Sequence, residues 1–128
     1  MNRAGNRLLM ATAALEVSAG VLLMSAPAAA ARLLLGAAID APGLVVARVA
    51  GAALFTIGTL CWVVGTERRG MVARGVFSAL LFYNVAVLVA FAHANLALRL
   101  TGIGLWPVVS LHAALGVWCI ACLYNRAA

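Results

Sequence analysis

Glu16 is a carboxylate inside an apolar run, Leu8 to Ala31, that carries no other charge. An ionisable group near the middle of a membrane span costs roughly 3 kcal/mol on insertion scales, so it usually faces protein, pairs with a partner, or marks a pathway for protons or solutes. Arg48, Tyr83, Asn84 and His112 also stand within apolar runs. A histidine beside a carboxylate titrates near neutral pH and can relay a proton, which makes Glu16 and His112 the best candidate proton pair. The competing reading is static. Interhelical hydrogen bonds contribute only about 0.6 kcal/mol on average and often serve packing specificity alone, and Arg48 is free to snorkel towards an interface.

The cysteines form a second candidate group. Cys119 and Cys122 lie three residues apart, on one face of a helix, and Cys61 falls at a similar depth. A thiol cluster could bind a soft metal or exchange disulfides, although buried cysteines more commonly act as small apolar fillers. His93 and His112 raise the idea of a haem, but their depths differ by roughly 10 Å at 1.5 Å per residue, so no cofactor and no metal site is expected. The chain has no nucleophile elbow, no phosphate-cradling glycine loop followed by Lys, no His-Glu-x-x-His and no pair of carboxylates within one apolar run. A non-enzymatic role is the expectation.

The elements that must position these residues are membrane spans. Of 128 residues, 66% are hydrophobic and 9% charged, with a mean hydropathy of +1.12; soluble domains are roughly 45–50% apolar. At about 20 residues per span, the pattern predicts an all-α bundle of four transmembrane helices in a single domain. They cover approximately Leu8 to Ala31, Leu44 to Gly65, Met71 to Leu96 and Leu105 to Leu123. Pro27 is expected to end or kink the first, leaving Arg32-Leu33-Leu34-Leu35 as an interfacial segment, and Asp40 is expected to cap the second. Gly51, Gly58 and Gly65 recur every seven residues, about two helical turns, and so line a stripe where another helix can approach closely. Trp62, Trp106 and Trp118 suit interfacial belts or packing. The beginning of the chain resembles a secretory signal, with a basic start, an apolar middle and a small-residue end. Glu16 in its centre and three spans downstream favour a retained helix.

Relative to the span centres, Glu16 falls about 4 Å to the side of the N-terminus, His112 about 4 Å to the other side and Arg48 about 10 Å to that side, with Tyr83 and Asn84 central. One polar cluster with Arg48 above it is therefore expected. The basic residues are all arginines and give a net charge of +6. Arg3, Arg7, Arg68, Arg69, Arg74 and Arg126 would share one face, against Arg32, Arg48 and Arg99 on the other, which predicts both termini in the cytoplasm. With no basic stripe interleaved with aromatics, nucleic acid is not an expected partner; the lipid bilayer is.

Two family resemblances arise from these residues. Glu16 in the first span, Arg48-Val49-Ala50-Gly51 opening the second and Tyr83-Asn84 in the third make most of the chain resemble the small four-helix bacterial membrane proteins grouped as DoxX-like. That likeness implies a multi-pass protein of the bacterial inner membrane, some of whose relatives are linked to quinone or thiol redox chemistry. Locally, Leu15-Glu16-Val17-Ser18-Ala19-Gly20-Val21-Leu22-Leu23-Met24 is similar to the first helix of small multidrug resistance transporters, which implies Glu16 as a shared proton and substrate carboxylate. Tyr83-Asn84, His112 and Arg48 depart from that pattern. Three functions follow as expectations. The first is a non-enzymatic membrane protein that self-associates or serves a larger membrane complex through the glycine stripe. The second is a proton-coupled carrier that needs an oligomer to enclose a cavity. The third is a redox or quinone-linked accessory protein.

Overall fold

The computed structural model describes residues 3–67 and 70–124. Arg68, Arg69 and Arg126, counted above for orientation, lie outside the described residues. The chain forms α1 (Arg3–Ser25), α2 (Pro27–Leu35), α3 (Ala41–Glu67), α4 (Gly70–Leu96) and α5 (Leu105–Tyr124), with no strand among the described residues. All but α2 are long and apolar enough to cross a membrane, so the fold is an all-α bundle of four candidate spans.

The first span is shorter than its apolar run. Helix α1 stops at Ser25 and Pro27 opens α2, where a missing N–H costs nothing because the first turn has no intrahelical acceptor for it. The expected interfacial segment is the second half of α2: Pro27, Ala30 and Ala31 are buried while Arg32 and Leu33 are exposed. Gly36 ends α2 in the left-handed region at φ 69°, its N–H bonded to the Arg32 carbonyl at 3.0 Å. Helix α3 starts at Ala41 rather than Leu44 because Asp40 caps it, accepting the Gly43 N–H on Oδ1 at 2.9 Å.

The bundle is built from two tight pairs, α1 with α3 and α4 with α5, which touch each other much more sparingly. The glycine stripe explains the first pair. A Cβ on Gly51 would stand 2.8 Å from the Gly20 carbonyl oxygen, and one on Gly58 would stand 2.9 Å from the Val17 nitrogen. Gly65 continues the seam against Met10. The helix that approaches these glycines is therefore the chain's own α1. In this chain the stripe is internal, and it is not the contact surface for another protein that the subunit reading gave it.

The two ends of the bundle differ. At the end carrying the N-terminus, Leu8, Leu9, Ala13, Cys61, Val64, Ala73, Phe77, Leu80, Cys119 and Cys122 pack into one core that all four spans share. At the opposite end α2 borders a pocket between the pairs. The Gly102 N–H donates to the Leu34 carbonyl at 3.1 Å and the Gly104 N–H to the Leu33 carbonyl at 2.8 Å, fastening α2 to the turn that leads into α5.

Candidate functional site

Glu16 lies on α1 at the level where the packed core ends, 3% exposed. Its Oε2 accepts a hydrogen bond from the Tyr83 hydroxyl of α4 at 3.0 Å, which ties one helix pair to the other. Asn84 follows Tyr83, and successive residues on a helix are about 100° apart. Tyr83 therefore turns to α1 while Asn84 turns to α5, where its Oδ1 is 2.8 Å from His112 Nδ1. The Tyr83 and His112 rings meet edge to face, with centroids 5.6 Å apart and planes at 77°.

Hydrogen-bond chemistry fixes the polarity of this group. Asn84 Nδ2 donates to the Leu80 carbonyl at 2.7 Å. The amide cannot be reversed, because two oxygens would then face each other at that distance with no proton between them. Asn84 Oδ1 is thus the atom turned to His112, and it can only accept, so Nδ1 of the imidazole carries the proton and donates. In the neutral ring Nε2 is then the acceptor.

Above this polar floor lies a cavity of about 420 Å³. Glu16, Tyr83 and His112 border it. The remaining wall is apolar: Leu15, Ala19 and Leu22 of α1, Ala50 and Leu54 of α3, Phe91 of α4 and Leu111 of α5, roofed by Ala30, Leu33 and Leu34 of α2. An apolar cavity of roughly 150 Å³ suffices for benzene, so this space is ample for a small organic molecule. Tyr83 also borders a shallower crevice of about 190 Å³ between α3 and α4, with Cys61 and Gly75 in its wall. A single chain thus forms the pocket of about 420 Å³, which stays partly open to the surroundings.

The other sequence candidates fall outside this group. Arg48 is exposed on α3 and does not border the cavity. It stands about 60° around the helix from Gly51, far enough from the α1 seam, and near enough to the end of α3, for its side chain to leave the bundle. Glu16 and His112 are not bonded to each other; Tyr83 stands between them. Cys61, Cys119 and Cys122 are all buried in the shared core. Among the described residues no His, Cys, Asp and Glu side chains are grouped so as to hold a metal ion. His93 is exposed in the last turn of α4. Trp62 and Trp106 are exposed towards opposite ends, and Trp118 packs against the core.

Two features escape a reading by residue type. Thr12, one turn before Glu16, is buried with no hydrogen-bond partner for its hydroxyl among the described residues; its spacing of four residues from Glu16 is the signal that would have found it. The apolar wall left no signal, since alanines and leucines that border a space look like those that fill one. No protein-family model, curated protein or solved structure matches the chain.

Proposed function

We propose that this is a small, non-enzymatic multi-pass membrane protein, with both termini cytoplasmic, that holds one small lipophilic molecule within its own bundle. The observation that carries this reading is the cavity itself. It is bounded almost wholly by apolar side chains, and its polar groups converge at one end, where they orient a ligand. Two further observations support ligand binding over a purely structural role. The glycine stripe that a subunit would offer to a partner is occupied by α1, and the two helix pairs are packed loosely where they could have been filled with side chains.

The test is to titrate 4-hexylphenol into the protein in lipid nanodiscs by calorimetry, with empty nanodiscs as the blank. Saturable one-to-one binding is expected. Ala19→Phe, which puts a ring into the cavity, should abolish it, whereas Ala113→Phe on the exposed side of α5 should leave it unchanged. Binding that survives Ala19→Phe, or heat indistinguishable from the blank, would sink the reading.

A proton-coupled carrier is the second reading, favoured by two observations: Glu16 borders the proposed ligand cavity, and its carboxylate accepts a hydrogen bond from the Tyr83 hydroxyl, not from a basic side chain. Here Glu16→Gln should leave the bundle assembled and abolish proton movement driven by the ligand in vesicles.

A further inference from the structure

From the hydrogen-bond polarity of the cavity floor we infer the chemical class of the ligand: a lipophile whose polar head donates hydrogen bonds, an alcohol or a phenol, with His112 Nε2 as the acceptor that receives it. The inference rests on the ligand-binding reading above and adds a selectivity to it.

The argument starts at Leu80. Its carbonyl holds the Asn84 amide in one orientation, which leaves Asn84 Oδ1 to accept from His112 Nδ1. Nε2 is the other ring nitrogen, it has no hydrogen-bond partner among the described residues, and His112 borders the cavity. Tyr83 completes the pattern. Its hydroxyl proton is committed to Glu16 Oε2, which leaves the oxygen only to accept, and Tyr83 too borders the cavity. A head group that approaches His112 and Tyr83 therefore meets two lone pairs, and Glu16, which borders the same space, adds further acceptors when it is ionised. An O–H donates to one of them. A ketone, ester or quinone carbonyl would set lone pair against lone pair, having lost its own hydration to enter an apolar space, and leaving buried polar groups unpaired is costly. Asn84 acts as a positioning residue here, since it touches no ligand and works through the tautomer of His112.

The experiment compares 4-hexylphenol with 4-hexylanisole, which has the same body and differs by a methyl cap on the oxygen. Both are titrated into the wild-type protein in nanodiscs, each corrected for its partition into empty nanodiscs. The phenol is expected to bind about tenfold more tightly, the effect of one satisfied hydrogen bond against one left unmade. Equal affinities, or a preference for the ether, would overturn the donor inference and leave the cavity reading standing; binding of neither would overturn both. A spectroscopic readout tests the positioning role directly. In a His93→Gln background, long-range 1H–15N correlation should show neutral His112 protonated on Nδ1. The phenol should shift the Nε2 resonance and the ether should not, and Asn84→Leu should mix the tautomers. Protonation on Nε2 in the wild-type site would overturn the inference.

Discussion

The hydrogen bond from Tyr83 to Glu16 joins the two helix pairs at the level where packing gives way to open space, so its removal reports on both halves of the bundle. Glu16→Gln keeps an oxygen for the Tyr83 hydroxyl and should leave thermal stability within about 0.5 kcal/mol of wild type, whereas Glu16→Leu should lose about 1 kcal/mol. Tyr83→Phe should lose a similar amount, and the double variant should lose little more than either single one, because the two changes remove one interaction. Reversible unfolding in mixed micelles measures this cycle, and additive losses would show that the contact couples nothing. At this scale much of the site was legible. Glu16, Tyr83, Asn84 and His112 stand out as polar residues in apolar runs, and burial at mid-bundle follows from the cost of leaving them in lipid. Who bonds to whom was not legible. Depth along a span can be counted from sequence, but rotation about the helix axis is set by packing, and the turn of about 100° between Tyr83 and Asn84 decides that Glu16 meets a tyrosine and His112 meets an amide.

Among the elements, the seam between α1 and α3 sets the spacing of everything else. Gly51 places its backbone against Gly20 so closely that any side chain there must push α1 away. Gly51→Leu is therefore expected to destabilise the protein by about 1–3 kcal/mol, the usual cost of overpacking, and to weaken the Tyr83–Glu16 bond by moving α1. Gly75→Leu is the control, because a Cβ there meets nothing within 4 Å and should be tolerated. Thermal unfolding of both variants, with the Tyr83 environment followed by ultraviolet absorption, separates them; equal stability would deny the seam its role. The stripe itself was visible in the sevenfold spacing of Gly51, Gly58 and Gly65. Its occupant was not, since a glycine stripe is the same pattern whether the approaching backbone belongs to the same chain or to another. The end of α1 was legible in Pro27, which was expected to end or kink the first span, and α1 does stop at Ser25; that a separate helix follows it was not. The apolar run continues to Ala31, and only the placement of Pro27 as the start of α2 turns its last part into a roof across the bundle.

As a whole the molecule shares one packed core at one end and borders its most spacious pocket near the other, and that asymmetry makes its stability depend on occupancy. Side chains bordering the pocket lack partners on one side and forgo the contacts that a filled interior would supply. A ligand in the pocket would meet residues of α1, α2, α3, α4 and α5 together, so it would restore those contacts and join pairs that otherwise meet sparingly. Binding only to the folded bundle must raise its stability, by about 2.7 kcal/mol when the free ligand is at 100 times its Kd. The expected result is a Tm for the wild-type protein that climbs with 4-hexylphenol concentration. Ala19→Phe should start from a higher Tm, because its ring supplies part of the missing packing, and should then show no further rise. The two outcomes constrain each other. A variant that gains stability while losing the ligand effect means that ring and ligand compete for one space. A variant that is merely destabilised, with the ligand effect intact, would mean that the cavity is not where the ligand goes.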